Sequence, residues 1–184
     1  MSPNTKVVLK EILEWVISIA LAFAIAFVLR QFVFTLVEVR GQSMENTLQD
    51  QDRLFVYRLF YHPHDGDIIV LQPPHDTELY IKRVIATGGQ TINIDYNTSQ
   101  VFVDGQLLNE PYIKDKTLIK DPRMDTPIPA TVPNGYVFVM GDNRNNSQDS
   151  RFSIVGMIAD NKIIGKAEFR VWPFNSFGSI YKNL

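Results

Sequence analysis

Apolar residues are concentrated in one long run near the start of the chain. Between Ile12 and Leu29 the only charged residue is Glu14. A helix of this length spans about 27 Å, close to the roughly 30 Å of a hydrocarbon core. Small-x-small triplets such as Ala24-Ile25-Ala26 raise the alternative of a cleaved signal peptide, but they lie inside the run and not after it. We therefore predict an uncleaved transmembrane anchor over residues 12–30, after a short N-terminal segment, residues 1–11.

The charges that flank this run predict its orientation. Lys6 and Lys10 precede it, and Arg30 follows it. Cytoplasmic flanks of membrane helices carry an excess of lysine and arginine. Two lysines against one arginine therefore favour a cytoplasmic N-terminus, which would place the rest of the chain outside the cytoplasm.

Beyond the anchor, short runs rich in β-branched and aromatic residues alternate with turn residues, a pattern typical of β-strands. The predicted strands are Phe32–Val39, Leu54–Tyr57, Ile68–Leu71, Leu79–Ile85, two strands with a hairpin turn between Thr91 and Gly105, Tyr136–Met140, and a last strand over Ile163–Trp172. The third of these strands, Ile68–Leu71, is fully apolar, so we expect it to be central in the sheet. The fold class is mostly β behind one transmembrane helix.

Residues 88–135 differ from the rest of the β region. Gly88-Gly89 ends a strand, and the stretch from Asn109 to Pro133 is polar and contains five prolines. Such a composition is typical of an irregular, loop-rich segment. We predict that residues 88–135 form a small inserted subdomain, and that residues 31–87 and 136–184 form the core.

Composition excludes several classes of protein. The chain has 184 residues, so it holds one domain of ordinary size besides the anchor. Its formal net charge is -2, which provides no basic field for a nucleic-acid partner. The absence of cysteine excludes disulfides, thiol catalysis and cysteine-ligated metals.

Two polar stretches could carry chemistry. The run Gly141–Arg151 follows an apolar strand and is almost entirely polar, so it is either a site or an ordinary solvated loop. The three histidines lie in a second stretch with aspartates nearby, which allows a metal site or a Ser-His-Asp triad: His62, His64 and His75, with Asp65, Asp67 and Asp76. Their spacing matches no standard ligand pattern, and loop histidines are commonly solvated, so we predict no metal.

A lysine is another candidate base. The two-residue period of a strand places Lys82 on one face with Tyr80 and Val84, and Arg83 on the opposite face. At an ordinary pKa of about 10.4, only about one lysine in 2,500 is neutral at pH 7. Burial could lower this pKa by roughly 3 units. The alternative is a surface lysine that extends over the ring of Tyr80.

Four stretches follow the predicted anchor in this order: Gly41–Leu48, Gly66–Val70, Tyr80–Ile85 and Gly141–Arg151. In sequence and order they resemble the signature motifs of bacterial type I signal peptidases. That family consists of membrane-bound Ser/Lys endopeptidases that remove signal peptides from exported proteins. The resemblance implies an antiparallel β-sheet catalytic domain with a variable inserted subdomain.

By the same resemblance, Ser43 would be the nucleophile and Lys82 its general base. Met44 would help to line the substrate cleft, and Ser147 would hydrogen-bond the lysine amine. Further supporting polar residues would be Arg83, Asp142, Arg144, Asp149 and Arg151. The spacing of Asp149 and Arg151 also allows both to face one side of an extended segment, so we predict a structural ion pair between them.

The chain departs from the family pattern at several positions. Asn46 stands where the family usually has proline, and Ala86–Gln90 replaces a more usual Gly-x-Pro-Gly-Asp. The spacing between Arg151 and Gly156 is longer than is common. Gly41 lacks the hydroxyl that some members use as the second oxyanion donor, so the sequence assigns only the backbone N–H of Ser43 to that task.

The resemblance implies that the protein cleaves preproteins after small-x-small sites and needs no cofactor. It also implies a monomer in the bacterial cytoplasmic membrane, with the catalytic domain outside the cytoplasm. The lipid bilayer would be its other partner. One alternative is a catalytically weak or inactive relative that binds export substrates. Another is a self-cleaving regulator of the repressor type, which uses the same pair but would need a DNA-binding domain where this chain has an anchor.

Overall fold

The structure, a computed structural model, describes residues 3–181, except the side chains of residues 3–9 and 31. The predicted N-terminal segment and core extend beyond these limits. Residues 1–2, residues 182–184 and the side chain of Lys6 therefore lie outside the described part of the chain.

The predicted anchor forms a helix, α1, over Pro3–Val28. Its stretch Lys10–Val28 is long and apolar enough to cross a membrane, and none of this stretch is buried against the protein. The helix continues as a π-helical turn over Leu29–Val33. The prediction of a strand that begins at Phe32 is therefore wrong, because strand pairing starts only at Phe34, opposite Tyr57.

The remaining chain is mostly β, as the sequence predicts. Up to residue 181 the structure shows twelve strands: β1 Phe34–Glu38, β2 Arg53–Tyr57, β3 Ile68–Leu71, β4 Tyr80–Thr87, β5 Thr91–Asp95, β6 Gln100–Val103, β7 Gln106–Leu107, β8 Ala130–Thr131, β9 Tyr136–Met140, β10 Ile158–Ala159, β11 Ile163–Trp172 and β12 Gly178–Ser179. All their pairings are antiparallel. The strand predicted as the last, β11, is followed by the two-residue β12, which pairs with it.

The strands form two sheets. The larger sheet has the order β1-β2-β11-β3-β4-β9-β10, with β12 beside β11, and β3 is central as predicted. All four residues of β3 are buried. The strand β1 lies at one end of this order, so one of its edges has no partner strand among residues 3–181.

The smaller sheet, β7-β6-β5-β8, lies entirely within the segment predicted as an insert. Ile92, Ile94 and Val101 of this sheet share a buried cluster with Ile85 and Phe138 of the larger sheet. The second sheet is thus packed on the first by apolar contact. The division of the chain into core and insert stays a prediction.

A second buried cluster lies beneath the turn that follows β1. Met44 and Leu48 point from this turn into the core beside Leu54, Val56 and Ile81. Burial of an apolar side chain of this size contributes about 1.5 to 3 kcal/mol. These two side chains therefore fix the turn, and with it Ser43, to the larger sheet.

Candidate active site

Ser43 lies in the turn that connects β1 to β2. Gly41 has a φ of +81°, a conformation that favours glycine, and it redirects the chain out of β1. The carbonyl of Ser43 accepts a hydrogen bond of 3.0 Å from the backbone N–H of Asn143. The side chain of Asn143 donates to the carbonyl of Gln42 at 3.0 Å. The loop that follows β9 therefore holds the serine turn in place.

Lys82 lies on β4 and reaches the serine. Its Nζ is 2.7 Å from Ser43 Oγ and donates to the carbonyl of Ile81 at 3.0 Å. Only 4% of Lys82 is exposed. The alternative of a surface lysine is wrong, although Nζ also lies 5.1 Å from the ring centroid of Tyr80. Lys82 and Ser43 are thus in direct contact.

Burial lowers the pKa of Lys82 from 10.5 to about 8, and the negative charges of Asp149 and Asp142 partly oppose this change. At a pKa of about 8, about one molecule in eleven has a neutral amine at pH 7, and half do at pH 8. A neutral amine can accept the serine proton, and a base is most effective when its pKa lies near the working pH.

Most of the loop after β9 is buried, with only Asn145, Asn146 and Gln148 exposed among residues 141–151, so the alternative of a solvated loop is wrong. Asp142, Arg144, Asp149 and Arg151 are each at most 1% exposed. Buried charges require partners, and in this loop each has one. The polar composition of Gly141–Arg151 therefore reflects an internal network of ion pairs.

Arg83 and Asp142 form the first of these pairs. Arg83 donates from Nε at 2.9 Å and from its second terminal nitrogen at 2.7 Å to the two carboxylate oxygens. Thr47, in the serine turn, donates its hydroxyl to Asp142 at 2.5 Å. Arg83 follows Lys82 on β4 and points to the opposite face, as the strand period predicts. One carboxylate thus connects the lysine strand to the serine turn.

The predicted ion pair between Asp149 and Arg151 also forms, with 2.8 Å between Oδ1 and Nε. It lies in a turn and not in an extended segment. Burial alone would raise the pKa of Asp149, but the charge and hydrogen bonds of Arg151, together with hydrogen bonds from Gly141 and Ser147, lower it. Asp149 also accepts the backbone N–H of Gly141 at 3.0 Å, and Arg151 donates to the carbonyl of Arg144 at 2.6 Å.

Arg144 has a partner that the sequence did not reveal. Glu110, from the proline-rich part of the predicted insert, accepts hydrogen bonds from both terminal nitrogens of Arg144. Near Glu110, the ring centroid of Tyr112 lies 3.9 Å from Cζ of Arg83. A Glu-Pro-Tyr sequence in a loop without periodicity gave no signal for either contact.

Ser147 does not hydrogen-bond Lys82 as expected. Its Oγ is buried and, among the residues that the structure describes, is directed toward Asp149, whose pKa it helps to lower, and not toward Lys82. The amine of Lys82 is directed instead to Ser43 Oγ and to the carbonyl of Ile81. Ser147 lies against Gly141, where an added Cβ would come within 2.3 Å of its Oγ.

A cleft of about 800 Å³ opens beside Ser43 and Lys82. One side is formed by β1 and the serine turn and includes Met44, and the other by the stretch from Thr77 to Ile81. Since β1 has an unpaired edge, this cleft can accept an extended peptide as a further strand.

The histidines do not form the alternative site. His64 Nδ1 is 3.7 Å from Asp67 Oδ2, and His62 contacts the carbonyl of Phe60. Within the described part of the chain, no group of three or more potential ligands is arranged to hold a metal ion. The titratable side chain in contact with Ser43 Oγ is Lys82.

Residues 12–172 match the family described as signal peptidase, peptidase S26. Signal peptidase IB of Staphylococcus aureus (strain COL) is 36% identical over 183 residues, which cover 91% of this chain and 93% of the relative. The probable signal peptidase I-1 of a Synechocystis species is 41% identical over 170 residues, 86% of this chain and 82% of the relative. A crystal structure of a signal peptidase I from Enterococcus faecalis matches 58% of this chain and 97% of its own, with 28% identity and a TM-score of 0.48.

The chain therefore belongs to the signal peptidase family, peptidase S26, whose members are membrane-associated serine endopeptidases. The resemblance inferred from the four motifs is confirmed.

Proposed function

We propose that this protein is a membrane-bound serine endopeptidase that removes signal peptides from exported preproteins, with Ser43 as nucleophile and Lys82 as general base. The observation that carries the proposal is the 2.7 Å contact between Lys82 Nζ and Ser43 Oγ. The same lysine is buried, and its pKa is lowered to about 8. A serine needs an adjacent base to become a nucleophile. Lys82 is adjacent to Ser43, and its lowered pKa allows it to act as a base near neutral pH.

In the first half of the reaction, Ser43 Oγ attacks the scissile carbonyl carbon while neutral Lys82 accepts the hydroxyl proton. The tetrahedral intermediate carries a negative oxygen, to which the backbone N–H of Ser43 donates. The C–N bond then breaks, and protonated Lys82 returns its proton to the leaving amine of the mature protein. An ester between Ser43 and the signal peptide remains.

In the second half, Lys82 is neutral again and accepts a proton from water as the water oxygen attacks the ester. The ester C–O bond breaks, the proton returns to Ser43 Oγ, and the signal peptide leaves with a new carboxylate. Arg83, Asp142, Arg144, Asp149 and Arg151 touch no reacting atom and act as the scaffold of the serine turn. No cofactor takes part in these steps.

The substrate would bind as an extended strand along the free edge of β1. Met44 is almost fully buried but is among the residues that line the cleft, and we expect shallow apolar pockets there to accept the small residues at the first and third positions before the cut. The preprotein carries its own apolar segment in the same bilayer, which raises the effective concentration of the scissile bond at the active site.

The anchor α1 would span the bacterial cytoplasmic membrane once, with the N-terminus in the cytoplasm and a monomeric catalytic domain outside. Phe32, Trp172 and Phe174 are exposed and are candidates for an apolar rim against lipid. Phe34, at the start of β1, is not among these candidates, because it is only partly exposed and is stacked on Phe55, with 5.0 Å between ring centroids.

Cleavage of a model preprotein by the intact chain in liposomes tests this function. We expect cutting after a small-x-small site, complete loss in Ser43→Ala and Lys82→Ala, and retention in Lys116→Ala, which changes an exposed lysine. Cutting that survives in Lys82→Ala but fails on changing His62, His64 or His75 would contradict the assigned base. Binding without cutting by the intact chain would support the inactive relative instead.

A further inference from the structure

Asn46 occupies an unusual backbone conformation in the serine turn. Its φ is +88°, which asparagine tolerates better than other residues with a side chain. Proline, whose φ is fixed near −65°, could not adopt it. The pyrrolidine ring of a proline therefore cannot make the turn rigid at this position, so other contacts must hold the turn in place.

The side chain of Asn46 connects the turn to a distant part of the chain. Its Nδ2 donates to the carbonyl of Tyr112 at 3.0 Å and lies 3.5 Å from the carbonyl of Ile113. The neighbouring Glu45 forms an ion pair of 2.6 Å with Lys114. We call residues 110–114 the brace segment. It contacts both the serine turn and the loop after β9.

The brace segment is itself held by buried groups. Glu110 accepts two hydrogen bonds from the fully buried Arg144, and the ring of Tyr112 lies on the guanidinium of Arg83. The backbone N–H of Lys114 donates to the carbonyl of Asp142 at 3.1 Å. Because Arg83 follows Lys82 on β4, the same short segment contacts the strand of the lysine and the turn of the serine.

We infer that Asn46 is a positioning residue for the proposed Ser43–Lys82 pair. Its amide fixes the serine turn to the brace segment and so holds Ser43 Oγ at hydrogen-bond distance from Lys82 Nζ. The parallel contact between Glu45 and Lys114 contributes less, because Lys114 is largely exposed and ion pairs of this kind are weak. The inference rests on the proposed function, and Asn46 itself touches no reacting atom.

Two substitutions distinguish the effect of the Asn46 side-chain amide from the effect of its backbone conformation. Asn46→Gly keeps the positive φ and removes the hydrogen bond, and Asn46→Asp replaces the donor by an acceptor that faces a carbonyl oxygen. Gln51→Gly is the matched control, since Gln51 is exposed and also has a positive φ, +69°. All three are compared as full-length enzyme in liposomes, with kcat and KM measured on one model preprotein.

We expect kcat to fall about tenfold in Asn46→Gly, because one hydrogen bond is lost, and further in Asn46→Asp. KM should change by less than about twofold, since Asn46 does not line the cleft. Gln51→Gly should match the unaltered enzyme. Unchanged kcat in both Asn46 variants, or an equal loss in Gln51→Gly, would overturn the inference.

Amide hydrogen exchange on the same samples gives a result that does not depend on activity. The N–H groups of Thr47 and Leu48 donate to the carbonyl of Met44 at 3.1 and 2.8 Å, and they should exchange faster in Asn46→Gly, whereas those of β5 should not. If the unaltered enzyme does not cleave but this exchange still rises, the proposed function fails and the attachment of the turn by Asn46 stands. Unchanged exchange would overturn the attachment.

Discussion

The lowered pKa of Lys82 has a measurable consequence for stability. The buried amine is charged below a pKa of about 8 in the folded chain, and below 10.5, its ordinary value, in the unfolded chain. Between pH 8 and pH 10.5 the unfolded chain therefore binds more protons, so stability rises with pH across this window. Below pH 8 the folded state carries the full penalty of a buried charge.

The size of this effect follows from the two pKa values. The penalty is about 3 kcal/mol at pH 7 and between 1 and 2 kcal/mol at pH 9.5, so it changes by about 2 kcal/mol. Lys82→Met keeps the length of the side chain and removes the charge. Loss of the hydrogen bond to Ser43 also affects stability, and any difference between the ammonium and the neutral amine in this contact is already contained in the pKa shift.

The assay is urea unfolding of the full chain in detergent micelles, followed by tryptophan fluorescence at pH 7 and pH 9.5. The free energy of unfolding of Lys82→Met minus that of the unaltered chain should fall by about 2 kcal/mol between the two pH values. Lys116→Met, which changes an exposed lysine, serves as the control. A difference for Lys82→Met that stays constant with pH would refute a lowered pKa.

Three further substitutions or measurements test other parts of the structure. Gly141→Ala should reduce kcat by about 100-fold or more in the cleavage assay, because its Cβ would come within 2.4 Å of the carbonyl oxygen of Ser43; near-normal kcat would contradict this contact. Asp142→Asn breaks a fully buried ion pair with Arg83 and should lower the free energy of unfolding by about 3 to 5 kcal/mol in urea titrations, whereas a loss below 1 kcal/mol would show that the pair is dispensable. Protease added outside intact bacterial protoplasts should digest the β domain while the N-terminus stays protected; the opposite pattern would reverse the proposed topology.

The local pattern of the sequence was sufficient to predict most of the strands and the local settings of Ser43 and Lys82. The two-residue period of β4 correctly separated Lys82 from Arg83, and turn residues around Ser43 correctly placed it between strands. These features depend on neighbours within a few positions of each other, which is the range that periodicity describes. The motifs then identified which serine and which lysine to pair.

Contacts over long sequence distances were not predictable in the same way. Glu110 and Tyr112 lie in a proline-rich stretch without periodicity, yet they reach Arg144 and Arg83. The loop Gly141–Arg151 resembled a solvated loop because composition does not show that each charge has an internal partner. Phe32 has the residue type of a strand, but the helical hydrogen bonding of the anchor extends through Val33.

The pH dependence of cleavage tests the Ser43–Lys82 pair most directly. The measurement is kcat/KM of the intact chain on a model preprotein in liposomes from pH 6 to pH 10, beside Ser43→Ala and Lys82→Ala. We predict that kcat/KM rises with an apparent pKa of about 8, as Lys82 loses its proton, and that both variants are inactive at every pH. Activity that persists in Lys82→Ala, or a rate that does not change across this range, would contradict lysine as the base.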